Sequence, residues 1–142
     1  MTDNIVKLAN VLVIDDDEIS NFIYTRVISS TGAADNIKSC MSGGEALQYL
    51  EDIVKNQPEE FPKLIFLDIN MPVMNGWDFL NKYQKIVPKE IQDSSTLCIL
   101  SSSVYKDDID KAHTYPQVSE YVPKPLTSDS LKILLKKYFK DM

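Results

Sequence analysis

The chain has 142 residues, a length that suits one domain with its own buried core. Apolar residues make up 44% of the chain and charged residues 25%, the balance of a globular protein and not of a disordered one. The net charge is −6 and no run of lysine or arginine forms a basic stripe, so direct binding to nucleic acid is not expected. There is neither a signal peptide nor an apolar run near the ~20 residues of a membrane span, so a cytoplasmic location without a membrane partner is expected.

Short apolar runs alternate with helical patterns in the first half of the chain. The run VLVI (11–14) predicts a strand that is buried on both faces. Apolar residues at helical spacing from Ile19 to Val27 predict a helix after it, and NIKSC (36–40) predicts a weaker strand. The sequence SGGE (42–45) has a capping-box pattern and predicts the start of a second helix with an apolar stripe.

The second half of the chain continues the same alternation with three strands and three helices. In chain order, the segments are LIFLD (64–68), WDFLNKYQKIV (77–87), TLCIL (96–100), DDIDKAH (107–113), VSEYV (118–122) and LKILLKKYF (131–139). Five strands alternating with five helices predict an α/β fold, in which a parallel sheet carries helices on both faces. Functional groups in such a sheet lie in the crevice beyond the carboxyl ends of the strands.

Polar side chains stand where the predicted strands end. The first strand runs into Asp15-Asp16-Asp17, the third ends in Asp68, the fourth in Ser101-Ser102-Ser103, and Lys124 follows the fifth. Clustered carboxylates form a hard oxygen site of the kind that Mg²⁺ prefers. Asp17 and its neighbour Glu18 also suit the start of a helix, whose dipole they complement, but Asp15 and Asp16 lie at the strand end. We therefore expect Asp15 and Asp16 to be functional.

Four segments, in the order VLVIDDDE, LIFLDINMPVMNGWDFL, CILSSS and YVPKPL, resemble the receiver domain of two-component response regulators. The resemblance covers essentially the whole chain. It implies a doubly wound, flavodoxin-like fold with strand order 2-1-3-4-5, and one receiver domain over residues 1–142 without an output domain. It also implies a phosphoacceptor signalling protein, not an enzyme, which assists its own phosphorylation and dephosphorylation.

The resemblance also implies which residues bind metal and accept phosphate. Asp68 corresponds to the phosphoacceptor and, with Asp16 and the backbone carbonyl of Asn70, to a direct ligand of Mg²⁺. Asp15 corresponds to the acid that holds a metal-bound water. These roles agree with general chemistry, since an aspartate nucleophile gives an acyl phosphate and phosphoryl transfer mainly requires positioning and charge neutralisation.

Three further groups are implied to bind the phosphoryl oxygens. They are the hydroxyl of Ser101, the backbone N–H of Ser102 and the ammonium of Lys124, and the Lys124–Pro125 bond is implied to be cis. Asp68, Ser101 and Lys124 would together form the catalytic set. Serine at position 101 replaces the commoner threonine of the family and keeps its hydroxyl.

A switch and a set of partners follow from the same resemblance. Ser101 and Tyr121 occupy the two switch positions, and phosphorylation would bias them toward one of two arrangements. Asn70 and Ser103 would tune the lifetime of the phosphoryl group. The expected donor is a phosphohistidine on a sensor histidine kinase or a histidine phosphotransfer protein. The expected output is a downstream protein target or onward transfer of the phosphoryl group, and the sequence does not separate these two roles.

A second interpretation takes IDDDEI as the start of a haloacid-dehalogenase-type phosphatase, with Asp15 as nucleophile and Asp17 as acid and base. This interpretation is disfavoured because those enzymes have a further acidic motif after the lysine and are longer than this chain. The two interpretations differ in which aspartate bears phosphate, Asp15 in a phosphatase and Asp68 in a receiver.

Overall fold

The computed structural model describes residues 7–102 and 105–139. The strands are β1 (Leu8–Ile14), β2 (Ala34–Cys40), β3 (Leu64–Leu67), β4 (Thr96–Ser101) and β5 (Val118–Pro123). The helices are α1 (Glu18–Ser30), α2 (Gly43–Asn56), α3 (Gly76–Ile86), α4 (Lys89–Asp93), α5 (Lys106–Ala112) and α6 (Ser128–Phe139), and a 3₁₀ turn covers Pro58–Glu60. The strands pair in parallel in the order β2-β1-β3-β4-β5, which confirms the predicted doubly wound sheet.

The number of helices differs from the prediction, because the described residues form six where the sequence predicts five. The additional helix is α4, a five-residue segment that follows Pro88 in the long connection between α3 and β4. The side chain of Gln92 donates a hydrogen bond to the carbonyl of Val87 at 2.7 Å and holds α4 against the end of α3. A single helical turn is too short to show apolar periodicity, and the pattern therefore does not predict it.

The central strands are continuous apolar runs because helices cover both faces of the sheet. Side chains alternate along each strand, so Leu12 and Ile65 join the core under α2 and α3, whereas Val13 and Phe66 join the core under α1 and α6. The predicted inward residues of α3 and the leucines of α6 are buried, namely Phe79, Leu80, Tyr83, Leu131, Leu134 and Leu135. No helix within the two described ranges combines the length and the apolar character needed to cross a bilayer.

Helix α1 forms where the sequence predicts it, but of the apolar residues that predict it only Val27 packs against the core, and three others face solvent. Ile19, Phe22 and Ile23 are 68%, 61% and 45% exposed. We call these three residues the α1 outer face. The buried residues of the helix are Asn21, Tyr24 and Ile28. The inner face is polar at its first turns because it packs against the strand ends that carry the acidic residues.

Candidate functional site

The acidic residues meet because β1 and β3 are neighbouring parallel strands. Ile14 pairs with Leu67 at the last position of the ladder, so Asp15 and Asp68 emerge side by side. Both are buried, with 1% and 4% of their surface exposed. One carboxylate oxygen from each of Asp15, Asp16 and Asp68 lies within 4.8 Å of the other two. Acids from two separate loops therefore form one cluster at the carboxyl edge of the sheet.

Lys124 reaches the same cluster from the end of β5. Its backbone N–H donates to the carbonyl of Ser101 at 2.9 Å, and the bond to Pro125 is cis, as predicted. Its Nζ lies 2.9 Å from Asp15 Oδ2 and 3.7 Å from Asp68 Oδ2. Burial by itself would lower the pKa of Lys124, but the hydrogen bond to Asp15 and the charge of Asp68 outweigh it, so the pKa is raised. The lysine consequently stays charged at neutral pH.

Backbone amides fix one oxygen of each buried carboxylate. The N–H of Asp17 donates to Asp15 Oδ1 at 2.9 Å, and the N–H of Asn70 donates to Asp68 Oδ1 at 3.0 Å. Asp17 itself caps α1 as predicted, since its side chain accepts from the N–H of Ile19 at 3.2 Å and from the hydroxyl of Ser20 at 2.8 Å. The loops after β1 and β3 thus orient the acids through local hydrogen bonds.

The cluster carries more negative than positive charge. Among the described residues, the three carboxylates of the cluster face the single ammonium of Lys124. Burial raises the pKa of Asp68, and the charges of Asp15 and Asp16 add to this, whereas the N–H of Asn70 and the charge of Lys124 oppose it. A small divalent cation prefers hard carboxylate oxygens, and it would balance the excess negative charge of the cluster. The residues present therefore fit Mg²⁺.

The other predicted residues lie around the cluster or near it. Ser101 ends β4 and is fully buried, and Ser102 follows it at the surface. Asn70 is exposed in the loop after Asp68. Tyr121 is half-buried on β5, where it pairs with Ile99 of β4 and packs against the core under α2 and α3. Ser103, predicted to tune the lifetime of the phosphoryl group, lies outside the described residues.

Two residues of the site were missed from the sequence, and both lie on the inner face of α1. Asn21 donates from Nδ2 to the backbone carbonyl of Asp15 at 2.8 Å. Tyr24 is buried, and burial is the main cause of its raised pKa. The nearby charges of Lys124, Asp15 and Asp68 also influence this pKa. The spacing of Asn21, Tyr24 and Ile28 is that of one helix face, which is the signal that points to them.

The sheet order, an acidic cluster at the ends of β1 and β3 and a lysine after β5 define a doubly wound α/β domain with a candidate metal site at the carboxyl edge of its sheet. The family model of the response regulator receiver domain matches residues 11–136. The chain therefore belongs to the receiver domain family, whose members are signalling proteins of two-component phosphorelay systems. The match removes the support for the phosphatase interpretation.

Individual relatives agree with this family. A two-component response regulator from Cytophaga hutchinsonii is 36% identical, with a TM-score of 0.86 over 95% of this chain and 99% of that one. The receiver domain of the histidine kinase CKI1 from Arabidopsis thaliana, solved in complex with Mg²⁺, shares the fold with a TM-score of 0.78 at 21% identity, over 95% and 94% of the two chains. The hybrid signal transduction histidine kinase L of Dictyostelium discoideum is 27% identical over 94% of this chain, which spans only 7% of that protein.

Proposed function

We propose that this chain accepts a phosphoryl group on Asp68 from a phosphohistidine, and that the modification changes a protein-binding surface. The donor would be a sensor histidine kinase or a histidine phosphotransfer protein. One observation carries the proposal: the Asp68 carboxylate lies in one cluster with Asp15 and Asp16, within 4.8 Å, and with the ammonium of Lys124 at 3.7 Å. A buried carboxylate beside a cation and two further acids is suited to hold a phosphoryl group reversibly.

The geometry indicates how Asp68 would react. Its Oδ1 is held by the N–H of Asn70, so Oδ2, on the side of Lys124, is the oxygen available to attack phosphorus. The new O–P bond would form as the N–P bond to the donor imidazole breaks, and the imidazole leaves with the electron pair of that bond and takes up a proton. Lys124, the Ser101 hydroxyl and the Ser102 N–H would bind the phosphoryl oxygens, which is mainly charge neutralisation and positioning.

Mg²⁺ is the proposed cofactor of this site. Asp16, Asp68 and the carbonyl of Asn70 would bind it directly. Asp15 suits an indirect role through a water, because its Oδ1 accepts from the N–H of Asp17 and its Oδ2 from Lys124. When bound, the ion supplies the positive charge that three carboxylates and a phosphoryl group require.

The response to phosphorylation is proposed to pass through β4 and β5. Ser101 at the end of β4 would move toward the phosphoryl oxygens, and Tyr121 on the neighbouring strand would follow it. Asn70 and Ser103 would set the lifetime of the acyl phosphate, so the chain would assist its own dephosphorylation as well as its phosphorylation. Output would then come from binding a downstream protein or from passing the phosphoryl group onward.

The donor must contact the surface around the acidic cluster, because Asp68 is buried. Helix α1 begins beside the cluster with the cap Asp17, and the α1 outer face presents Ile19, Phe22 and Ile23 to solvent. The guanidinium of Arg26 lies 5.7 Å from the centre of the Phe22 ring on the same side of the helix. We assign this apolar face with its basic edge to donor docking. The two buried free thiols, Cys40 and Cys98, suit the reducing cytoplasm, which is the proposed location.

The decisive experiment locates the phosphoryl group. Incubation with acetyl phosphate and Mg²⁺, followed by peptide mapping, should place the label on Asp68, and chelation of Mg²⁺ should abolish uptake. Asp68→Asn should remove the label, whereas the control Asp52→Asn, at an exposed position on α2, should not. Labelling of Asp68→Asn at the wild-type level, or a label on Asp15, would contradict the proposal.

A further inference from the structure

Asn21 is a buried polar residue of α1 whose amide group contacts the chain at the acidic cluster. The residue is 5% exposed. Its Nδ2 donates to the backbone carbonyl of Asp15 at 2.8 Å, and the carbonyl of Cys40 lies 3.5 Å from the same nitrogen. The carbonyl of Cys40 also accepts from the N–H of Asp15 at 3.1 Å. Both ends of Asp15 are therefore anchored, its N–H by β2 and its carbonyl by the side chain of Asn21.

The oxygen of the same amide group, Asn21 Oδ1, lowers the stability of the folded protein. Among the described residues, no group donates to Asn21 Oδ1, although the atom is buried. A buried acceptor without a partner destabilises the folded protein, and this cost offsets part of the stabilisation that the hydrogen bond from Nδ2 provides. An asparagine at this position is therefore better explained by what its Nδ2 holds than by its contribution to stability.

The carbonyl that Asn21 holds belongs to the peptide that joins Asp15 to Asp16. Fixing that carbonyl fixes the plane of the peptide, and with it the directions in which the side chains of residues 15 and 16 leave the backbone. Both side chains belong to the cluster whose oxygens lie within 4.8 Å of one another. The hydrogen bond from Asn21 consequently acts on the spacing of the acids that would hold a metal ion.

We propose that Asn21 is a positioning residue for Mg²⁺ binding, which it supports by holding the Asp15–Asp16 peptide in place. The inference rests on the proposed function of the acidic cluster. Groups that orient metal ligands from behind typically contribute 10- to 100-fold to metal affinity, so loss of the Nδ2 donor should weaken Mg²⁺ binding about tenfold.

The test compares two asparagines that each donate to a backbone carbonyl, one of them just after β1 and the other within it. Asn21→Leu keeps the branched shape but removes the donor and the unpartnered acceptor. The matched control is Asn36→Ala, because Asn36 Nδ2 donates to the carbonyl of Ala9 at 3.3 Å, near the opposite end of the strand. Mg²⁺ affinity is measured by titration calorimetry, and thermal unfolding in EDTA reports on the fold. Asn21→Leu should remain folded in EDTA but lose about tenfold in affinity, and Asn36→Ala should keep wild-type affinity.

A readout without metal makes the role specific. In Mg²⁺-free protein, Asn21→Leu should shift the backbone amide resonances of Asp16 and Asp17, and Asn36→Ala should leave them in place. Should Asn21→Leu fail to fold, Asn21→Ser takes its place, since its hydroxyl is too short to reach the Asp15 carbonyl and the same losses are expected. Wild-type affinity in the folded variant overturns the role of Asn21 alone, whereas absence of Mg²⁺ binding by the wild-type protein and by Asn36→Ala overturns the proposed function itself.

Discussion

The substitution Asp68→Asn should stabilise the protein in the absence of divalent metal, although it removes the proposed phosphoacceptor. Asp68 lies within 4.8 Å of the oxygens of Asp15 and Asp16 and 3.7 Å from Lys124 Nζ. At an effective dielectric constant of ~20, each repulsion is worth about 3.5 kcal/mol and the attraction about 4.5 kcal/mol. Two repulsions exceed one attraction by roughly 2.5 kcal/mol. Asparagine removes all three and still accepts the hydrogen bond from the N–H of Asn70.

The assay is thermal unfolding followed by circular dichroism in EDTA at neutral pH. A gain of ~2.5 kcal/mol corresponds to a rise of roughly 8 °C in the melting temperature of a domain of this size. Added Mg²⁺ should then reverse the order, because the wild-type protein gains about 4.1 kcal/mol at a concentration one thousand times its dissociation constant. The variant has lost a ligand and should gain less. If Asp68→Asn melts below the wild-type protein in EDTA, the cluster is not repulsive and the argument fails.

The pH dependence of the same pair of proteins has a definite sign. Burial raises the pKa of Asp68 above its usual value of 3.8, so the folded state resists ionisation of this group more than the unfolded chain does. The stabilising contribution of protonated Asp68 is complete below the unfolded pKa and is lost as the pH rises through the folded pKa. The advantage of Asp68→Asn in EDTA should consequently shrink as the pH is lowered from 7 toward the usual pKa of 3.8. An advantage that stays constant over this range would contradict the assigned cause.

Three further predictions concern the α1 outer face, Lys124 and the packing at Gly76. Phe22→Ser should slow transfer from a phosphohistidine donor by about tenfold and leave labelling by acetyl phosphate unchanged, while Ile133→Ser, an equally exposed position on α6, should change neither rate. Lys124→Met should lower the free energy of unfolding in EDTA by about 3 kcal/mol in urea titrations, because it leaves the buried carboxylate of Asp15 unpaired. Gly76→Ala should cost about 2 kcal/mol in the same titrations, since its Cβ would lie 2.6 Å from the backbone of Ile69, whereas Gly44→Ala, with no atom of the described residues within 4 Å, should gain about 0.5–1 kcal/mol. Equal effects of the two glycine substitutions would show that the close approach at Gly76 does not limit packing.

The position of the acidic cluster was predictable because parallel topology determines it. Once VLVI and LIFL are assigned to neighbouring parallel strands, the residues that follow them must emerge at the same edge, and Lys124 after the last strand joins them. The structure places Asp15, Asp16, Asp68 and Lys124 together as this argument requires. Periodicity locates strands and helices well when both faces of the sheet are covered with apolar side chains.

Apolar periodicity does not predict which face of a helix is buried where the surface beneath that helix is polar. A helical spacing of apolar residues correctly indicates that α1 exists, but it gives no means of telling an inward stripe from an outward one. The usual assumption that apolar residues face inward places Ile19 and Phe22 in the core, and in the structure both are exposed. Asn21 takes an inward position because it lies against backbone carbonyls at the end of β1, where an apolar side chain would leave an acceptor unpaired. Tyr24 is buried with the apolar core under α1 and α6 and lies near the charges of the acidic cluster.

The two faces of α1 then have a common explanation. In its first turns α1 places the polar Asn21 inside and the apolar side chains of its outer face outside, where those side chains gain little free energy from folding. Its second half packs Ile28 against the core under α1 and α6. A buried polar face and an exposed apolar face are both explained if each face has a binding partner. The inner face has one in the Asp15 carbonyl, and the proposed donor supplies one for the outer face. On this account, substitutions on the two faces separate cleanly: those inside alter metal binding in the isolated protein, and those outside alter only the rate at which a protein donor delivers its phosphoryl group.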